Sequence, residues 1–173
     1  MKTLNGTRAE APRMYETEND ISLQRRSELS ALMNQRLADA VDLQMQMKQA
    51  HWNVKGPSFI GLHELFDKVN ASVASYVDQI AERIVQLGGI AEGTVRVAAA
   101  RSRLTEYPLQ IADGMAHVEA VARGLSTFGQ AARSTIEEAN AFDDAATADL
   151  FTEISRGLDQ WLWFVEAHSQ AAK

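Results

Sequence analysis

Four side chains with metal-binding chemistry lie in one stretch of the sequence, at spacings that read the same from both ends. His63 and Asp67 are four residues apart, and Asp78 and Glu82 are also four apart. The mean of positions 63 and 82 equals the mean of 67 and 78, which is 72.5. On an α-helix, at about 100° per residue, the four side chains fall within an arc of about 100°. The pattern predicts that they share one face of one helix.

These four residues cannot all bind the same ion within one chain. At a rise of about 1.5 Å per residue, the two pairs lie roughly 16 Å apart along the helix. A second copy of the helix, antiparallel about a two-fold axis at position 72.5, would place His63 opposite the partner's Glu82. The same axis would place Asp67 opposite the partner's Asp78. Two equal metal sites would then form, each shared by two chains.

Small residues at the centre of the stretch favour such a pairing. Ala71 and Ala74 are symmetric about position 72.5 and lie on the same arc as the ligands, where small side chains let two backbones approach closely. The helix keeps a different face, about 130° away, for its own core. That face consists of Leu62, Phe66, Val69, Val73, Val77, Ile80, Ile84 and Leu87. The alternative is that the four polar residues form only a solvated charged face, but their symmetric arrangement favours the metal site.

Composition indicates one compact domain and excludes several kinds of chemistry. The chain has 173 residues, of which 46% are hydrophobic. It has no cysteine, which excludes disulfides, zinc–thiolate sites and a cysteine nucleophile. No segment has the apolar length of a signal peptide or a membrane span, so we expect a cytoplasmic protein without a membrane partner. The net charge of −6 argues against nucleic-acid binding by the body of the protein.

The pattern of apolar residues predicts a flexible N-terminal tail at residues 1–20 and one helical domain at residues 21–173. The first long helix runs from about Ser22 to Asn53, and the second runs from an N-cap at Ser58 to the glycine pair at 88–89. A short helix is predicted at residues 94–101. The third long helix begins at Pro108 and the fourth after Asp143 and Asp144.

Connection lengths then predict the fold class. Short loops make the first and second long helices antiparallel neighbours, and likewise the third and fourth, while the long middle connection can cross the bundle. This is an all-α, ferritin-like four-helix bundle with a short extra helix in the crossover. A di-iron site inside such a bundle needs Glu-x-x-His pairs on two helices. None of the four histidines has a glutamate three residues before it, so we expect the metal site outside the bundle core.

The residues around these ligands resemble a known family. The segment KQAHWNVKGPSFIGLHELFD, followed by Asp78 and Glu82 in DQIAERIVQLGG, is similar to the Dps family of mini-ferritins. WLWFVEAH resembles the last helix of that family, so the resemblance covers about residues 22–170. It implies a homo-dodecamer built from two-fold dimers. Such a cage would oxidise Fe(II), preferably with hydrogen peroxide, store ferric iron inside and protect against oxidative damage.

The resemblance also implies which residues hold the iron. Each dimer would have two shared ferroxidase centres, with His51, His63 and Asp67 from one subunit and Asp78 and Glu82 from the other. His51 is assigned by the resemblance alone, because on its own a histidine in an apolar stripe is more often a core residue than a ligand. Trp52 has two interpretations: it packs, or it has a catalytic role by giving up an electron near iron.

The other two histidines are not expected to bind metal. His117 falls opposite the apolar face of the third long helix and is predicted to lie at the surface. His168 is close to the core face of the last helix and is predicted to be structural.

A second acidic region predicts an iron entrance. Between Ser134 and Ser155 the sequence has no Lys or Arg but has six carboxylates. In cages of the family that the chain resembles, this region surrounds a three-fold pore, where rings of carboxylates attract cations. We predict that Asp144, Asp149 and Glu153 line it. The alternative for Asp143 and Asp144 is that they complement the dipole of the last helix.

DNA binding is the competing function within the same family. In residues 1–20 the cations Lys2, Arg8 and Arg13 face four carboxylates, so the net charge is −1. Binding to phosphates depends on the number of cations that contact them, so this tail does not favour DNA. Twelve tails acting together could still bind through avidity. A nucleoid-compacting, nucleoid-associated protein therefore stays as the alternative.

Overall fold

Residues 13–170, which the computed structural model describes, form five helices. They are α1 (Leu23–Asn53), α2 (Phe59–Gln86), α3 (Val95–Arg101), α4 (Gly114–Ala141) and α5 (Ala145–Gln170). The four long helices pack as a bundle, and the short α3 lies in the crossover between α2 and α4. These residues contain no strand, only an isolated bridge between Lys55 and Asp113. The predicted all-α bundle with a helix in its crossover is confirmed.

The apolar faces of the four long helices meet in one core. α1 packs mainly against α2, and α4 packs mainly against α5, as short connections predict for antiparallel neighbours. The predicted apolar face of α2 is buried except for Val77, which is partly buried. Phe66, Phe128 and Phe151 are the largest fully buried side chains. Each contributes about 1.5–3 kcal/mol relative to an exposed position. No helix within residues 13–170 is long and apolar enough to cross a membrane.

The start of α4 corrects one predicted boundary. The helix begins at Gly114 rather than at Pro108, because the Asp113 side chain accepts hydrogen bonds from the backbone N–H groups of Met115 and Ala116. An aspartate N-cap satisfies helix donors in a way that proline cannot. A Cβ added at Gly114 would lie 2.9 Å from Leu62 Cδ1, so the glycine permits close packing of α4 on α2.

Part of the predicted tail contacts the bundle. The Tyr15 N–H donates to the Gly88 carbonyl at 2.7 Å, and the Arg13 guanidinium lies 4.8 Å from the centre of the Tyr15 ring. Gly88 has a φ of 84°, and a Cβ there would lie 2.5 Å from the Tyr15 carbonyl oxygen. The backbone around Tyr15 therefore lies against the C-terminal end of α2. Residues 1–12 of the predicted tail lie outside the described residues.

Candidate metal centre

His51 and His63 lie face to face, which their separation in sequence does not by itself require. Their ring centroids are 3.7 Å apart, with an angle of 22° between the planes. Nδ1 of each ring is 2.8 Å from the backbone carbonyl oxygen of the other residue. Because a carbonyl only accepts, both Nδ1 atoms must carry the hydrogen. This leaves Nε2 of each ring with a lone pair, the form of imidazole that binds metal ions.

The turn between α1 and α2 positions this histidine pair. His51 is in the last turn of α1, and His63 is near the start of α2. The carbonyl groups of a helix's last turn have no partner within the helix. Nδ1 of His63 supplies one for the carbonyl of His51. The two hydrogen bonds therefore fix the orientation of both rings and complete the C-terminal end of α1.

Asp67 lies one helical turn beyond His63, beside the pair. Its Oδ1 accepts a hydrogen bond from Lys48 Nζ at 2.7 Å and lies 4.0 Å from Nδ1 of His51. The hydrogen bond from the Lys48 ammonium lowers the pKa of the Asp67 carboxyl. Asp67 is thus ionised at neutral pH, as a metal ligand must be, with Lys48 as its counterion. Lys48 was not predicted from the sequence, although its position three residues before His51 places it on the same side of α1.

Asp78 and Glu82 are exposed on the same helix but near its other end. Eleven residues separate Asp67 from Asp78, which corresponds to roughly 16 Å along α2. Among residues 13–170, no three of His, Cys, Asp and Glu converge closely enough to hold a metal ion. The structure brings His51 and His63 together and places Asp67 beside them but turned towards Lys48, and it keeps Asp78 and Glu82 apart from all three.

The Lys48 contact predicts the behaviour of one variant. Lys48→Gln should increase the affinity of the intact assembly for Co(II) a few-fold, because the ammonium competes with the metal for Asp67. It should also return the pKa of Asp67 towards its ordinary value, since the main cause of its lowering is removed. Co(II) titration followed by d–d absorption measures the affinity. Lys68→Gln is the matched control, because Lys68 is exposed and forms no ion pair within residues 13–170. Equal affinities for the two variants would contradict the proposed competition.

Trp52 lies at the surface of the protomer, not in its core. Its side chain is exposed, and Lys48 Nζ lies 5.9 Å from the centre of a Trp52 ring. Packing within the protomer core therefore does not account for Trp52. Its role as an electron donor to iron stays a prediction.

The predictions for the two remaining histidines were wrong. His117 is only 1% exposed, and its Nδ1 lies 2.6 Å from the hydroxyl of Tyr107 in the crossover. The crossover covers a side of α4 that the periodicity of α4 alone marks as outward. His168 is exposed, and within residues 13–170 the one hydrogen bond of its ring joins Nδ1 to the Phe164 carbonyl of its own helix, at 2.9 Å. It is in the last turn of α5, beyond the last buried residue, Val165.

The acidic region divides into two kinds of residue. Asp144 is 2% exposed and accepts two hydrogen bonds from Arg83 Nη2, at 2.8 and 2.9 Å. It also accepts from the Thr147 N–H at 3.1 Å, as a residue that caps α5 does. Its carboxylate is turned into the protein, so the predicted channel-lining role of Asp144 is corrected to capping. Asp149 and Glu153 are exposed one helical turn apart on α5, and their role stays a prediction.

The bundle with its long crossover, and imidazole and carboxylate side chains outside its core, define the class of protein. The sequence model of the ferritin-like domain matches residues 30–173. The DNA protection during starvation protein of Agrobacterium fabrum is 39% identical over 156 residues, which are 90% of this chain and 96% of that protein. The protein of the same name from Mycolicibacterium smegmatis is 31% identical over 152 residues, which are 88% of this chain and 82% of that protein.

Solved structures with the same fold belong to the same group of proteins as the relatives found by sequence. DpsA14 from Streptomyces coelicolor superposes with a TM-score of 0.85 at 35% identity, covering 91% of this chain and 92% of that chain. The tetragonal form of Mycobacterium smegmatis Dps also superposes with a TM-score of 0.85, at 30% identity, covering 90% of this chain and 94% of that chain. This chain therefore belongs to the Dps family of ferritin-like proteins.

Proposed function

We propose that this protein oxidises Fe(II) with hydrogen peroxide at centres shared by two subunits and stores the ferric iron inside a dodecameric cage. The observation that carries the proposal is the His51–His63 pair, whose Nδ1 hydrogen bonds leave both Nε2 atoms free for a metal. Asp67 lies beside the pair, and Asp78 and Glu82 are exposed on the same helix. Imidazole and carboxylate ligands suit Fe(II) with open coordination positions.

The ligand set also suits peroxide as the oxidant. Few protein ligands per iron leave positions for water and for hydrogen peroxide. Two Fe(II) ions each give one electron to one peroxide, whose O–O bond breaks. With two protons, the products are two Fe(III) ions and two water molecules. Pairwise oxidation matters because one Fe(II) ion acting alone on peroxide releases hydroxyl radical.

The symmetry of α2 supports the sharing of sites between subunits. The midpoint of α2, which spans Phe59–Gln86, is position 72.5, the same centre that relates the ligand pairs. Ile60 and Val85 are 62% and 59% exposed, and these two positions are symmetric about the same centre. Both fall on the ligand arc, at about 60° and 40° from His63. An antiparallel partner helix would cover Ile60 with the partner's Val85 and remove both from water, which favours this pairing.

The direct test is oxidation of anaerobic Fe(II) by the purified protein, with and without hydrogen peroxide. Ferric product is followed by absorbance, and particle size by light scattering on the same sample. We expect oxidation with two Fe(II) consumed per peroxide, in particles of twelve chains. Oxidation no faster than that of free Fe(II), or a particle smaller than a dodecamer at working concentration, would contradict the proposal.

An acidic entrance predicts a salt-dependent effect on iron uptake. Asp149→Asn combined with Glu153→Gln should slow uptake several-fold at low salt, because both side chains are exposed and their charge attracts Fe(II). The difference should shrink at physiological ionic strength, where the Debye length is about 8 Å. Stopped-flow uptake rates measure it. Glu28→Gln with Glu119→Gln removes the same charge from exposed positions on α1 and α4 and should have little effect. Equal slowing by both double variants would point to overall charge rather than an entrance.

DNA binding is kept as a second candidate because the curated relatives are named for DNA protection. Tyr15 is hydrogen-bonded to the end of α2, and residues 1–12 contain Lys2 and Arg8 against Glu10. So few cations should not retard plasmid DNA in a gel at about 0.1 M salt, where surface charges are screened beyond about 10 Å. Glu10→Lys with Glu16→Lys serves as the positive comparison. Retardation by the unchanged protein that is lost when residues 1–12 are deleted would support DNA binding instead.

A further inference from the structure

A buried polar pair lies next to the turn that carries the two metal-binding histidines. Tyr107, in the crossover before α4, and His117, in the first turn of α4, are both buried. The Tyr107 hydroxyl and His117 Nδ1 are 2.6 Å apart. None of the predicted ligands is part of this pair. An apolar core does not need the polar atoms of Tyr107 and His117, so their burial calls for another explanation.

The protonation of the pair follows from its burial. Burial raises the pKa of the Tyr107 hydroxyl and lowers the pKa of the His117 imidazole, so both groups are neutral at physiological pH. In the arrangement where the Tyr107 hydroxyl donates to Nδ1, the imidazole hydrogen is on Nε2. His117 Nε2 is buried and has no hydrogen-bond partner within residues 13–170. The ring therefore keeps one donor that is not used.

The backbone beside that donor belongs to the end of α1. The backbone carbonyls of Ile111 and Asn53 are close enough to the His117 ring to oppose the lowering of its pKa by burial, but neither forms a hydrogen bond with Nε2. Asn53 is the last residue of α1, two residues after His51. Its carbonyl is one of those that a helix end leaves without a partner in the helix. The buried Tyr107–His117 pair thus lies beside the turn of α1 that holds His51, and its unused Nε2 donor is at that end of the helix.

A second contact fixes the same turn to the same part of α4. The Lys55 N–H donates to the Ala112 carbonyl at 3.0 Å, just before the start of α4. The turn between α1 and α2 is thus hydrogen-bonded to the segment before α4 and lies beside the buried Tyr107–His117 pair, and His51 and His63 lie on either side of this turn. Reciprocal hydrogen bonds between those histidines need both backbones at the correct distance, so this support bears directly on the pair.

We propose that Tyr107 and His117 are positioning residues of the metal centre. They hold the last turn of α1 against α4, and thereby keep His51 stacked on His63 with its Nε2 available to a metal ion. The pair does not touch the metal. This inference rests on the proposed function, because it concerns the same centre.

The test compares variants that break the contact with one that preserves it. Tyr107→Phe removes only the hydroxyl, His117→Leu removes both ring nitrogens, and His117→Gln keeps an acceptor and a donor. We expect Tyr107→Phe and His117→Leu to lower the affinity of the full-length assembly for Co(II) roughly 10-fold or more, as loss of outer-shell support does. They should raise the KM for Fe(II) more than they lower kcat. His117→Gln should restore affinity close to that of the unchanged protein.

Thr135→Val is the matched control for simple destabilisation. Thr135 is fully buried in α4, far along the helix from the turn, and its hydroxyl bonds the Ala131 carbonyl. Co(II) affinity is compared among variants alongside their Tm and particle size. If the His117→Leu variant does not assemble, the Co(II) affinity of Tyr107→Phe decides whether the pair positions the centre, because that variant keeps the aromatic ring at position 107.

Two results would overturn the inference in distinguishable ways. If the unchanged protein binds Co(II) and oxidises Fe(II), but Tyr107→Phe and His117→Leu change Co(II) affinity no more than Thr135→Val, the pair is only structural. If the unchanged protein neither binds Co(II) nor oxidises Fe(II), the proposed function fails and the inference fails with it.

Discussion

A mixture of His63→Ala and Glu82→Ala chains should oxidise Fe(II), although each variant alone should be inactive. Loss of a residue that only supports a ligand costs about 10–100-fold in affinity or activity, so loss of a ligand should cost at least that. In a dimer of one chain of each kind, both lesions fall on one shared site and the other keeps all its ligands. With random pairing, half of the dimers are mixed, so about a quarter of the sites are intact.

The matched control for this experiment combines two lesions from the same half of the site. In dimers of His63→Ala and Asp67→Ala chains, each site receives one lesion, so no site is intact. Chains are mixed by co-expression or by refolding, and the Fe(II) oxidation rate is measured on particles of confirmed size. Recovery in the first mixture alone supports sharing across the two-fold axis. Equal rates in the two mixtures, with normal dodecamers in both, would rule out shared centres.

Ala74→Leu should abolish ferroxidase activity while every proposed ligand is still present. Ala74 lies on the ligand arc near the centre of α2, where an antiparallel partner would cross most closely. A leucine there would overpack the crossing by roughly 1–3 kcal/mol at each copy. Because each centre needs residues from both chains, separation of the helices would remove activity without changing a ligand. Light scattering should show smaller particles, in parallel with the loss of oxidation rate.

A leucine at an exposed position elsewhere distinguishes disruption of the helix crossing from a general loss of folding. Ala31→Leu adds the same volume at an exposed position on α1 and should leave both assembly and activity near normal. Far-UV circular dichroism on both variants tests whether the bundle itself is retained. Full activity in Ala74→Leu dodecamers would show that the helices do not cross at the centre of α2.

The helix face on which a residue lies was predictable from the sequence wherever it depends only on spacing within one helix. The apolar stripe of α2 marked its core face, because a period of 3.6 residues reports which side of a helix is covered. The proposed ligands on α2 share a face for the same geometric reason. The short and long connections predicted the bundle topology, since a short loop leaves a helix only an antiparallel neighbour. His51 was assigned from the resemblance, because a histidine among the apolar residues of α1 is more often a core residue than a ligand.

Contacts between different elements were decided only by the tertiary structure. Lys48 reaches Asp67, and Arg83 reaches Asp144, across distances in sequence that no helical period relates. His117 is buried because the crossover places Tyr107 against a side of α4 that the sequence marks as outward. In each case a polar side chain is paired by a residue from another helix or loop. The sequence by itself determined which helix faces are apolar and which side chains could bind metal. The charge and the accessibility of each carboxylate and imidazole depend on its partners, and only the packed chain brings those partners near.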